Sequence, residues 1–181
     1  FIEKIVLDRP MYAVLSSRRL YVLLRKPFNG NDESGLVSYA IDEGKLRDKS
    51  AVISTKGEVC CHLCINDGFV YAANYISGSV IKMPDRIVLH KGNSVNPERQ
   101  SSPHAHFVGA TPDDKYICTA DLGIDKIIIY DKQLKFISET VLKPGSGPRH
   151  IAFSDDGKYA YCANELSSTV TVLTYNNGKM K

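Results

Sequence analysis

Apolar residues along this chain gather into short runs. "KIIIYD", "YAYCAN", "TVTVLTY" and "GLVSYAID" are six to eight residues long, rich in β-branched and aromatic side chains, and bounded by Gly, Asp, Asn and Ser. That pattern predicts strands. No segment carries the roughly ten or more residues of 3.6-residue periodicity that an amphipathic helix needs. The polar punctuation predicts the turns. "DDG" (155–157) joins Asp, which tolerates tight turns, to Gly, which supplies positive φ. "NNG" (176–178) contains the Asn-Gly pair favoured in two-residue hairpins.

The runs recur. "DDKYICTADLGIDKIIIYD" (113–131) aligns with "DGKYAYCANELSSTVTVLTY" (156–175), so that Lys115 and Tyr116 fall on Lys158 and Tyr159, and Asp121 falls on Asn164. "DGFVYAANYISGSVIKM" is an earlier copy with Asn74 at the same place, and "SSRRLYVLLRKPFNGNDESGLVSYAID" is an eroded one with Arg25 there. The spacing, about 45 residues, belongs to four-stranded propeller blades. In the last copy "RHIAFS", "KYAYCAN" and "TVTVLTY" are three successive strands; in the copy before it "KFISETVLKPG" is the fourth. The expected fold is an all-β propeller of four-stranded antiparallel blades, with repeats at roughly 1–50, 51–95, 96–143 and 144–181. A sheet apolar on both faces must stack on neighbours. A closed ring needs about four to eight blades, and the last copy reads as lacking a fourth strand. The chain is therefore expected to be the front part of a larger ring. Its unpaired edges invite a dimer or a companion fragment that completes it.

Composition narrows the function. The 181 residues are 43% hydrophobic and 24% charged, with ten Tyr, no Trp and a net charge of +3. Lys and Arg are scattered among acids, without the basic stripe of nucleic-acid binders, so no nucleic-acid partner is expected. No run approaches the roughly 20 apolar residues of a membrane span, and "FIEKIVLDRP" does not read as a signal peptide. The five cysteines, an odd number, argue against a disulfide framework and for a reducing compartment, hence the cytoplasm. "CCHLC" has one pair at zinc-knuckle spacing but no second pair, and reads as a strand. No metal or cofactor is expected.

Strand direction gathers the candidate chemistry. When two antiparallel strands follow one another, the entrance of the first and the exit of the second share a face. Arg149 and His150 stand at such an entrance, Asn164 and Glu165 at the exit. In the preceding repeat His104 and His106 enter and Asp121 leaves. Adjacent blades would place all seven on one rim, where imidazoles, a guanidinium and carboxylates can bind an anion and move a proton. A plainer role stands beside this one. His150 can serve an inner-strand entrance structurally, and Asp121, Asn74 and Asn164 can simply tie turns.

At "NPERQSSPHAHF", "TPDDKY" with "ADLGIDKI", and "GSGPRHIAFSDDGKYAYCANELSSTV" the chain resembles the seven-bladed propeller lactonases, a family that includes 6-phosphogluconolactonases and 3-carboxymuconate lactonizing enzymes. The resemblance implies a catalytic set of His104 (or His106), Arg149 and Glu165; the rim placement makes His106, His150, Asp121 and Asn164 the expected substrate-binding residues. It also implies a further Arg from a later blade and roughly three more blades. The implied activity is hydrolysis of a sugar lactone such as 6-phosphogluconolactone, an anionic small molecule. Glu165 or His104 would be the general base, and Arg149 would hold an anion or the oxyanion. The alternatives are a muconolactone cycloisomerase and a non-catalytic propeller that binds proteins on its rim. The last would show exposed aromatic anchors there.

Overall fold

The computed structural model describes residues 3–28 and 30–181, and every regular element among them is a strand. The first blade holds β1 (Pro10–Ser16), β2 (Arg19–Leu24), β3 (Glu33–Asp42), β4 (Lys45–Arg47) and β5 (Ile53–Glu58). Its fourth position is split, because β4 and β5 pair with opposite ends of β3. The second blade is β6 (Cys60–Asn66), β7 (Phe69–Asn74), β8 (Ser79–Lys82) and β9 (Arg86–Leu89). The third is β10 (Ala105–Ala110), β11 (Tyr116–Asp121), β12 (Lys126–Asp131) and β13 (Phe136–Val141). The fourth is β14 (Pro148–Phe153), β15 (Tyr159–Asn164), β16 (Thr169–Asn176) and β17 (Lys179–Met180). The last three are antiparallel meanders in sequence order. The all-β architecture of four-stranded antiparallel blades is thus the observed one.

One expectation needs correcting. The last repeat does begin a fourth strand: β17 pairs Tyr175 with Met180 and Asn176 with Lys179. The reason lies in the "NNG" turn, where Asn177 (φ 42°) and Gly178 (φ 78°) both take the positive φ that a type I′ hairpin requires. "CCHLC" falls within β6, and all five thiols are free.

The inner strands β1, β6, β10 and β14 contact one another in turn, and the blades stack through apolar layers. Leu23 and Leu36 meet Leu63, Ala72 and Ile81 between the first two blades. Tyr71 and Val80 meet Val108, Ile117 and Tyr130 between the next two. Cys118, Ile127 and Ile129 meet Ile151, Cys162 and Leu173 between the last two. Strand alternation explains "KIIIYD": Ile127 and Ile129 point to one layer, Ile128 and Tyr130 to the other. A continuous apolar run is what a strand covered on both faces requires.

Candidate active site

Each inner strand shifts register by one residue at its entrance. Met11, Cys61, His106 and Arg149 are the extra residues, lying between the pairs Pro10↔Leu24 and Tyr12↔Leu23, Cys60↔Asn74 and His62↔Ala73, Ala105↔Asp121 and Phe107↔Ala120, and Pro148↔Asn164 and His150↔Ala163. A bulge leaves its extra residue out of the ladder and re-aims its side chain. All four bulged residues line one open cleft of about 420 Å³, together with Tyr12, Val59, Tyr75, Arg99 and His150.

Glu165 follows β15, and its backbone N–H donates to Gly147 O (2.7 Å), which holds it beside the entrance of β14. Its carboxylate accepts from two guanidinia, Arg149 Nη1 on one oxygen and Arg99 Nη2 (2.8 Å) on the other. Burial pushes the carboxyl up, but the hydrogen bonds from Arg99 and Arg149 outweigh it and hold Glu165 below the usual carboxylate range. Glu165 is therefore ionised and doubly clamped at neutral pH.

Three imidazoles cluster at the cleft, His106 and His150 in its lining and His62 behind them. His150 lies 5.1 Å from His106 and 5.4 Å from His62 between ring centroids. Burial is the largest cause that lowers all three. It takes His62 to about 4, with His150 adding to the effect, and His106 to about 4, with Arg149 adding to it. His150 is lowered by burial and then by Arg149. They are neutral at pH 7, and His106 Nδ1 is buried without a partner among the described residues. Burial likewise raises Cys61 to about 12, so it is a thiol and no nucleophile. The cleft thus carries two guanidinia against one carboxylate.

Asp121 and Asn164 stand apart from the cleft lining, whereas His104 borders it, packed against the lining residue Tyr75. His104 stacks on Tyr75 (4.5 Å, 11°), and its Nδ1 is 3.0 Å from Tyr75 O. A carbonyl only accepts, so Nδ1 carries a proton, and in the neutral ring the lone pair falls on Nε2. Asp121 is fully buried; it accepts from His104 N–H (2.7 Å), Gly123 N–H (2.9 Å) and His90 Nδ1 (2.6 Å). Asn164, 4% exposed, donates to Thr169 Oγ1 (3.0 Å) and Thr171 Oγ1 (2.8 Å) within its own blade. The geometry gives both the tying role.

Sequence reasoning missed Arg99, Tyr75, Tyr12, Cys61 and His62. Arg99 stands inside the quoted "NPERQSSPHAHF" but precedes its strand, so strand topology did not single it out. Cys61 had a findable signal, since aligning "CCH", "AHF" and "PRH" places it on His106 and Arg149.

The family model "Lactonase, 7-bladed beta-propeller" matches residues 2–181. The chain belongs to the seven-bladed β-propeller lactonase family. An uncharacterized protein of Staphylococcus aureus is 33% identical over 97% of this chain and 55% of its own length. A provisionally named 6-phosphogluconolactonase from Bacteroides fragilis superposes with a TM-score of 0.84 at 30% identity, over 94% of this chain and 55% of that one. The periplasmic gluconolactonase of Pseudomonas aeruginosa superposes at 0.81 with 28% identity, over 95% and 55%. The chain spans about half the length of these relatives. No helix among the described residues is long and apolar enough to cross a membrane.

Proposed function

We propose that the intact protein is a lactonase that hydrolyses an anionic sugar lactone, 6-phosphogluconolactone, in the cytoplasm. The observation that carries this reading is Arg149: a bulge lifts it from β14 into the cleft, and Glu165 clamps it there. Two solved relatives, from Bacteroides fragilis and Bacteroides uniformis, are provisionally named 6-phosphogluconolactonases. The five free thiols fit a reducing compartment.

In this mechanism a water adds to the lactone carbonyl while His104 Nε2 takes its proton. Arg149 steadies the oxyanion as it forms. The tetrahedral species then collapses, the ring C–O bond breaks, and the proton passes from His104 to the departing alkoxide, giving the hydroxy acid. A general base of this kind contributes about 10²–10⁴-fold. His104 suits this step better than Glu165. Its fixed tautomer presents a lone pair, whereas two guanidinia depress the basicity of Glu165. Glu165 instead holds Arg149 in place.

Alanine substitutions test this directly. In the intact protein, His104→Ala and Arg149→Ala should each lower 6-phosphogluconolactone turnover about 100-fold or more. Folded variants that keep the parent rate would sink the reading.

A further inference from the structure

Resting on the lactonase reading above, we propose that Arg99 determines specificity: with Arg149 it forms a paired guanidinium seat that selects lactones bearing an oxyanion, phosphate or carboxylate, over neutral ones. The first argument is charge. One carboxylate needs one counter-cation, and Arg149 already reaches Glu165 from the β14 bulge. Arg99 adds a second cation to a cleft whose histidines are neutral; among the described residues no acid lines the cleft, and Glu165 holds both guanidinia from beside it.

The second argument is donor count. A guanidinium has five N–H donors in a fixed fork. Arg99 uses only Nη2 on protein, toward Glu165 Oε1 (2.8 Å) and Tyr75 Oη (3.2 Å); Arg149 uses only Nη1, toward Glu165. The remaining donors take no side-chain or backbone partner among the described residues. Both side chains stay reachable, 42% and 43% exposed. Two such edges suit a bidentate oxyanion.

The third argument is preorganisation. Arg99 sits on the connection between β9 and β10, 66 residues from Glu165 in sequence. That connection is fastened to the β11–β12 turn. Gln100, fully buried, donates Nε2 to Leu122 O (2.9 Å), and Ser94 Oγ donates to Asp125 Oδ2 (2.5 Å). The two segments approach so closely that a Cβ on Gly123 would lie 2.0 Å from Ser102 O. Asn96 Oδ1 accepts from Arg99 N–H (3.1 Å) and fixes the backbone locally. An ordinary surface ion pair lacks such support and contributes little. A seat whose backbone is fixed in advance loses less entropy when a ligand binds.

The test uses the intact protein and Arg99→Gln. Initial rates are compared on 6-phosphogluconolactone, a carboxylate-bearing muconolactone and neutral gluconolactone. The preference for anionic over neutral substrate, as a ratio of kcat/KM, should fall about 100-fold, mostly through KM, the usual scale for charge-assisted hydrogen bonds. Loss confined to one anionic substrate also supports the seat and identifies which oxyanion it takes. Arg99→Lys, which keeps the charge without the fork, should retain part of the preference. An unchanged ratio, with all rates falling together, would overturn the proposal and leave Arg99 only as a prop for Glu165. A second readout needs no turnover: calorimetric binding of 6-phosphogluconate should weaken at least tenfold in Arg99→Gln. If the parent hydrolyses no lactone, the function above fails while this binding result still judges the seat. Equal binding by parent and variant would overturn it.

Discussion

The third and fourth blades are close to copies in sequence and differ in surroundings. Both have a bulged inner strand, matching registers and a second strand that ends at the rim in Asp121 or Asn164. Yet β11 is buried from Ile117 to Asp121, while β15 alternates between exposed and buried. Ile127 to Tyr130 of β12 are all buried, whereas Val170 and Val172 of β16 are 64% and 60% exposed. The apolar residues are present on both faces of each blade; of these two, the third lies between two blades of the described chain, whereas the described residues cover the fourth on one face. A blade's burial is therefore a property of its stack, which is why solenoid-like repeats gain stability from nearest neighbours.

That contrast can be broken most forcefully at the anchor positions. Asp121→Ala should cost about 3–5 kcal/mol, because it strands buried His90 and two backbone donors. Asn164→Ala should cost about 1 kcal/mol, the scale of two neutral hydrogen bonds inside one blade. Denaturant unfolding of the two variants checks this, and equal costs would refute the distinction. Next comes the apolar layer. Ile129→Ala, at a 1% exposed site, should cost about 2–5 kcal/mol. Val172→Thr should stay within about 0.5 kcal/mol. A loss above about 2 kcal/mol at Val172 would mean that its face is covered in the protein studied.

A separate effect is on pH dependence. His62 and His106 fall from 6.5 to about 4 in the fold, so between those values the unfolded chain binds more protons than the native one. Stability is then fully present above about pH 6.5 and is lost as the pH falls toward 4, by at most about 3 kcal/mol per histidine. His150, exposed among the described residues, should contribute less. Unfolding of His62→Gln and His106→Gln should show a flatter acid limb, and a parental profile in both would refute the assignment. Glu165 has its own signature. Its depressed pKa adds stability that is present above the ordinary carboxylate range and lost as the pH falls through the folded value. A Glu165→Gln comparison should therefore converge with the parent at low pH.

Reading the repeat from sequence worked because strand chemistry is local. "KYAYCAN" and "TVTVLTY" declare strands by composition, and "NNG" declares its hairpin through the φ values that Asn and Gly tolerate. The same reading left β17 out, since two residues are too few to carry a pattern. Arg149 and Glu165 were legible as neighbours because an antiparallel hairpin returns its second strand to the face where its first began. His104, His106, His150, Asp121 and Asn164 were legible as a group at the rim, but not their division into cleft lining and scaffold. That division turns on a one-residue register shift, which changes where a side chain points without changing composition.

The sequence by itself determined the strands, the turns, the blade period and the face on which the chemistry gathers, because each depends on residues close along the chain or on strand direction alone. Only the tertiary structure decided that Arg99 reaches Glu165 and that burial lowers the basicity of His62 and His106. Those outcomes depend on contacts between blades, where the partners are 31 to 66 residues apart and no periodicity marks which side chain will meet which.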